Sequence, residues 1–373
     1  MLRLRLAAGT IGSLLLVASL TAPPGCSASV DGSATSATVV GSGGAGGAGG
    51  AGATVASGVG GAGGSGGAGG SAPGCAPHDG IVLAIDELFV GGRTFSGETK
   101  PDAWKDFGFD LDEMNSVADF TEHCQPVTGG STSAFVDGPS GRDNSFGKNV
   151  LPLINSLVPA LDGQANDAIA AGQFTQIFAF EGLGSEPDKD PLPTRLYGAA
   201  ELGKAPTWDG TDCWPVLHET LTDPTDLGSA KVTFATAKLA NNIWSSTGSQ
   251  ELVLTLNVLG QSIPIKIYAA RLKVTLAPTH EGGALGQIGG YLKTDEFVKT
   301  LRGFAGAISP SACALFDGAL GDQLRQASDL LDDGTQDPTK TCNAISVGMG
   351  FSLRRVGLGK VADAAPAPTD FCK

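Results

Sequence analysis

The sequence has no C-x-x-C pair, no H-E-x-x-H motif and only four histidines in 373 residues. The first absence excludes a zinc ribbon and a thioredoxin-type redox site. The second excludes the helix-borne zinc site of metalloproteases. Positive charge is also scarce: 24 Lys and Arg stand against 38 Asp and Glu, for a formal charge of −14. Removing Arg3 and Arg5, which belong to the leader described below, leaves −16. A surface of that sign repels phosphate backbones, so a nucleic-acid partner is not expected. Past Leu20, no uninterrupted apolar run reaches the ~20 residues of a membrane-spanning helix.

What is present begins with a leader. Arg3 and Arg5 precede the apolar stretch Ala7 to Leu20, and small, turn-forming residues follow up to Cys26. That pattern is a secretion signal, too short to span a bilayer. From Gly41 to Gly74 the chain is almost entirely Gly, Ala and Ser, with no charge and no aromatic residue. Such a segment buries too little to offset the entropy of ordering, so residues 27–74 are expected to form a disordered tether. Its mean reach is on the order of 40 Å. The tract also spells a dinucleotide fingerprint at Gly41 to Gly46 and a nucleophile elbow at Gly63 to Gly67. Neither follows a strand or opens a helix, so neither carries its chemistry.

The expected organisation is therefore a leader over 1–26, a tether over 27–74 and one disulfide-stapled domain over 75–373. Of the seven cysteines, Cys26 stands apart. The remaining six, Cys75, Cys124, Cys213, Cys313, Cys342 and Cys372, suit three disulfides in an oxidising compartment. Sequence does not choose among the pairings. Cys313 with Cys342 is the expected local pair, and Cys75 with Cys372 would tie the ends of the domain.

The domain reads as mainly β. Leu252, Leu254, Leu256 and Val258 alternate with polar or opposite-facing residues, and Gly260-Gln261 supplies a turn before Ile263, Ile265 and Ile267, so the region is expected to be a hairpin. Past Tyr268 the apolar phase slips by one position, to Leu272, Val274 and Leu276, which places a β-bulge at Ala269-Ala270. Further strands are expected over Ile81 to Val90, Phe174 to Phe180, Lys231 to Ala240 and Ala344 to Arg354. Three helices interrupt them: one from Ser309-Pro310 to Asp332-Asp333-Gly334, a shorter one opening at Thr294, and one through Val150 to Leu161. An antiparallel, jelly-roll-like β-sandwich with a few inserted helices fits this order, with α+β as the alternative.

Two clusters are candidate sites. Asp110, Asp112, Asp137, Asp143 and Asn144 offer oxygens on Gly-rich loops, the ligand type that a hard cation such as Ca²⁺ takes in numbers of about six to eight. The spacing is not that of an EF-hand, and Arg142 sits among the acids as a rival partner; ordinary turns are the alternative. Trp208, Asp209, Asp212 and Trp214 combine stacking rings with hydroxyl acceptors, as a glycan platform would; core packing beside Cys213 is the alternative. For catalysis, His218-Glu219 and His280-Glu281 each pair a base with a carboxylate, and Glu181 with Glu281 is a conceivable glycosidase pair. No catalytic residue is assigned.

Two resemblances follow from these residues. Thr21 to Cys26 resembles the processing site of bacterial lipoproteins, with Gly25 before an acylated Cys26 and with Pro23 and Pro24 departing from the pattern; ordinary cleavage and free secretion is the alternative. The leader, the tether, Phe107 to Asp112, Asp137 to Phe146 and Trp208 to Pro215 together resemble a group of exported lipoproteins from myxobacteria. These imply a lipid anchor on Cys26 and a cell-envelope or outer-surface location, while the tryptophan cluster makes a glycan, or otherwise an envelope protein, the expected partner. The expected function is a non-enzymatic ligand-binding or structural head, with bound calcium as a structural cofactor. A secreted glycoside-type hydrolase on the same scaffold is the alternative.

Overall fold

The structure, a computed structural model, describes residues 74–258, 261–364, 371 and 372. The chain divides into two compact units, Met1–Ala62 and Gly63–Lys373, and every described residue belongs to the second. The leader, Cys26 and nearly all of the tether lie outside the described residues.

The fold is mainly β. Eleven strands join one mixed sheet: β1 (Gly80–Phe89), β2 (Thr175–Glu181), β3 (Thr194–Ala199), β4 (Asp209–Val216), β5 (Val232–Phe234), β6 (Lys238–Ala240), β7 (Ile243–Ser245), β8 (Gln250–Val258), β9 (Gln261–Leu276), β10 (Gly282–Lys293) and β11 (Ala344–Val361). The helices are α1 (Leu151–Leu157), α2 (Leu161–Ala170), α3 (Thr294–Ile308), α4 (Cys313–Phe316) and α5 (Ala319–Arg325), with short 3-10 turns and one π-turn between elements.

Strand β1 pairs antiparallel with both β2 and β11. Strand β3 pairs with β2 and, at Ala199, with β4. Strand β4 runs parallel to the end of β11, and these five pairings close a ring. The period of two then sorts side chains between two cores. Val82, Ala84, Ile177, Ala179, Tyr197, Ala199, Trp214, Val216, Val356 and Leu358 fill the ring. Leu83, Ile85, Phe178 and Phe180, from the opposite faces of β1 and β2, enter the larger core with the helices and the β8–β9 hairpin. Both faces of β1 and β2 are therefore covered, which is why these segments are almost continuously apolar. Strand β11 serves both cores: Ile345, Val347, Met349, Phe351 and Leu353 face the larger one, and Val356 and Leu358 face the ring. Gly348 is required where the strand is crossed, since a Cβ there would stand 2.5 Å from the Phe107 carbonyl oxygen.

The hairpin and its bulge are as expected. Strands β8 and β9 pair from Val258↔Gln261 outward, and the register slips between Ile267 and Ala270. Ala269 takes a positive φ of 47°, and the buried set passes from Ile263, Ile265 and Ile267 to Ala270, Leu272, Val274 and Leu276.

Other expectations need correction. Lys231 to Ala240 is two strands, because a turn closed by the Ala237 amide on the Phe234 carbonyl separates them. The helix expected from Ser309 to Leu331 is broken at Asp317-Gly318, where Gly318 has φ −126° and ψ −132° and both Asp317 oxygens receive Arg302. It ends at Arg325, and Leu331 belongs to a turn. The helix opening at Thr294 is the longest, not a short one.

All six described cysteines are paired, but differently from the expected local and end-to-end bridges: Cys75–Cys213, Cys124–Cys342 and Cys313–Cys372. Reciprocal hydrogen bonds link Gln125 with Lys340 and Cys342, so Cys124 and Cys342 lie side by side with Cα atoms 5.2 Å apart. The Ala76 amide bonds the Leu358 carbonyl and Cys213 is opposite Gly357, which brings Cys75 to Cys213. Among the described residues, no helix is long and apolar enough to cross a membrane.

Candidate cation site

The loop after the 3-10 turn Ala103–Asp106 crosses β11 at Gly348 and β10 at Gly289 and carries Asp110 and Asp112. A second loop, closed by the Gly138↔Arg142 bridge, brings Asp137 and Asp143 to it. The contact is close. Gly141, at φ +71°, has room for no side chain: a Cβ would stand 2.4 Å from the Met114 carbonyl oxygen and 2.9 Å from Asp110 Oδ2. The Asp143 amide bonds the Phe109 carbonyl at 3.0 Å, and Asp143 Oδ2 accepts the Leu111 amide at 2.7 Å.

The result is a cluster in which ligand atoms of Asp110, Asp112 and Asp143 all lie within 4.8 Å of one another. Asp110 Oδ1 is buried without a hydrogen-bond partner. Asp112 accepts the Met114 amide at 3.0 Å and the Gln336 side chain at 2.8 Å. Asp137 accepts the Ser116 amide at 2.6 Å. Behind them lies Asp329, which receives the Ser346 amide and hydroxyl.

Electrostatically this arrangement is costly. Burial, then the charges of Asp112 and Asp329, push the Asp143 carboxyl up to about 10. Burial, opposed by the Ser346 hydrogen bonds and reinforced by Asp112 and Asp137, pushes Asp329 up to about 8. Burial, opposed by the Ser116 and Asp143 hydrogen bonds and reinforced by the charges of Asp112 and Asp110, brings Asp137 to about 6. Among the described ion pairs none involves Asp110, Asp112, Asp137, Asp143 or Asp329. Arg142, the expected rival, turns its guanidinium toward the Lys105 carbonyl instead.

Three of the five expected ligand residues, Asp110, Asp112 and Asp143, thus come together, with Asp137 beside Asp143. Asn144 does not serve as a ligand: its Nδ2 donates to the Trp104 and Gly348 carbonyls and its Oδ1 accepts the Gly147 and Gly348 amides, so every capacity of the amide is used by backbone. Asp329 and Gln336 were not legible in the sequence, because both reach the cluster across a separation of almost the whole domain and belong to no motif.

The tryptophan cluster is core packing. Asp209–Val216 is a strand rather than a loop. Trp214 is fully buried in the ring, with Trp208 half-buried against it at 6.0 Å between ring centroids. Asp212 is fully buried. It accepts the Thr207 and Trp208 amides and pairs with Lys204 at 3.0 Å. Asp209 caps its own turn through Thr207 and Thr211. With Trp214 enclosed, the two rings do not form a paired stacking platform for a sugar.

Most candidate acid–base groups are likewise engaged; the partly exposed His218 lies in a short 3-10 turn apart from them. His280 is fully buried between the Gly184 carbonyl and Asn242. His123 Nε2 meets Ser116 Oγ at 2.8 Å, but both are buried and His123 Nδ1 has no acid behind it. Glu181 pairs with Arg195 and Glu281 with Arg355. An open cleft of about 690 Å³ contains Asp86, Glu87 and Glu281, and each is bound by an arginine, Arg354, Arg93 or Arg355.

No family model matches the chain, and no curated protein or solved structure matches it.

Proposed function

We propose that the chain is an exported cell-envelope protein, lipid-anchored through Cys26, whose non-enzymatic head is a binding or structural module held together by a hard divalent cation, calcium, at Asp110, Asp112 and Asp143. The observation that carries the reading is the aspartate cluster itself. Buried carboxylates are normally paired with a cation or coordinate a metal, and here ligand atoms of the buried Asp143 and the half-buried Asp110 and Asp112 lie within 4.8 Å of one another, with none of the three in an ion pair among the described residues. The ligands are all oxygens on irregular loops, which suits the flexible coordination of Ca²⁺ better than the rigid octahedron of Mg²⁺. The complete pairing of the six described cysteines supports an oxidising compartment.

The test is a thermal melt of the purified chain under non-reducing conditions, with millimolar calcium and then with excess chelator. The reading expects calcium to raise the midpoint by several degrees, because the folded state binds it preferentially, and expects magnesium to do less. Superimposed melts would sink it.

A further inference from the structure

Where α1 and α2 meet α3, α4 and the β8–β9 hairpin, the larger core is not filled. A pocket of about 170 Å³ remains, walled by Phe146, Leu161, Ile265, Leu301 and Phe316. Among the described residues no charged side chain lines it, and the one polar side chain that does, Ser309, is at hydrogen-bond distance from Ser311. Water needs two to four polar partners to reside in a cavity, whereas an apolar void of ~150 Å³ stays dry and takes up benzene. The mouth is rimmed by Ile308 and Leu315, which are 49% and 55% exposed.

The walls are held in place. The Cys313–Cys372 disulfide lies against α3, so that a Cβ on Gly306 would stand 2.4 Å from Cys372 Sγ. The pocket is accordingly preformed, as small-molecule sites usually are. A partner helix would need room for several anchors along one face, and this volume holds about one ring-sized group. A second copy would need a protruding apolar ridge. Among the described residues the exposed large apolar side chains away from the mouth, Val117, Ile243, Val253 and Leu285, lie on separate segments, and Phe371 lies back against α3 at Gly306.

We propose that this pocket binds the end of a single linear alkyl chain, about six carbons inside by the benzene comparison, with the remainder and a polar head passing between Ile308 and Leu315 toward the Ser309 and Ser311 hydroxyls. The site is independent of the aspartate cluster. With no cationic side chain in the lining, recognition is of the chain and not of an anionic head.

The probes are decanol and decanoate, each below its micellar concentration, added to the full chain with its disulfides intact. Calorimetry should give one site per chain, with decanol bound at least as tightly as decanoate. Spectra of Ile and Leu methyl groups should show the ligand at Ile265 and Leu301. Ala305→Phe, which fills the pocket from α3, should weaken binding about tenfold or more while leaving the calcium response unchanged. The absence of binding, binding without perturbation of the Ile265 and Leu301 methyls, or uptake of benzene without response to decanol would each overturn the proposal. Because the methyl measurement uses the unsubstituted protein, it decides the matter even where Ala305→Phe does not fold.

Discussion

Asp143 Oδ2 accepts the Leu111 amide at 2.7 Å, so the carboxylate of one loop fixes the turn that places Asp110 and Asp112. The same residue is both a support of the site and a member of it. Asp143→Asn keeps an oxygen for the Leu111 amide but removes a buried carboxyl that, without a cation, must take up a proton for the chain to fold. The variant should melt no lower than the parent in chelator at pH 8, and its calcium-dependent gain should disappear. In the parent, that gain should be larger at pH 8 than at pH 5, because ligating carboxylates must be deprotonated. A variant that still responds fully to calcium would remove Asp143 from the ligand set.

Gly141→Ala probes the contact between the two loops. The added methyl meets the Met114 carbonyl oxygen at 2.4 Å, in a backbone conformation that L-residues rarely adopt. A cost of about 1–3 kcal/mol is expected, measured by denaturant unfolding in chelator, together with weaker calcium binding. An unchanged midpoint would mean that the loops separate without loss.

Asp162, on α2, holds the chain just past β1 through the Val90 amide at 2.6 Å and the Gly92 amide at 2.9 Å. Burial raises its carboxyl above the usual range, against the lowering effect of these hydrogen bonds and of Arg93. A raised folded value means that the folded state holds the proton more tightly than the unfolded chain. The stability this group contributes is complete below the unfolded value and is lost as pH rises through the folded one. Asp162→Asn turns an amide N–H toward one of the two backbone donors and should cost about 1–3 kcal/mol at pH 4. The deficit should shrink toward pH 7 in unfolding experiments run across that range; a deficit that widens with pH would reverse the assignment.

Non-reducing peptide mapping should recover Cys75–Cys213, Cys124–Cys342 and Cys313–Cys372. The separations are 138, 218 and 59 residues. Loop entropy alone makes each worth about 4–5 kcal/mol, with the longest loop highest. Cys124 and Cys342 are also fully buried with Phe135 and Leu331. Replacing both by Ala should therefore lower the melting midpoint more than either other double substitution. A larger loss on removing Cys313 and Cys372 would show that local packing outweighs loop length.

How much of this was legible beforehand depends on the range of the interactions. The β8–β9 hairpin and its bulge at Ala269-Ala270 could be read from the sequence because side-chain alternation is a local property set by which face is buried, and β1 and β2 because a short continuous apolar run is the local mark of a strand covered on both faces. Strands β3, β4 and β10 could not. Their short or glycine-rich segments carry weak periodicity, and their stability comes from neighbours far along the chain. The three converging aspartates and Asp137 beside them were named from residue type alone, since Asp on Gly-rich loops is a local pattern. Their convergence, the withdrawal of Asn144 into backbone hydrogen bonding and the arrival of Asp329 were decided only when β11 brought Ser346 and Gly348 beside residues some 200 positions earlier. The cysteine set was likewise fixed in number by the sequence, whereas its pairing was decided by which loops the sheet brings within bridging distance. The tryptophans show the same division. Residue type admitted both a sugar platform and a core, and the closure of the five-stranded ring around Trp214 chose the core, because an indole enclosed on every side gains more from burial than a loop gains by displaying it.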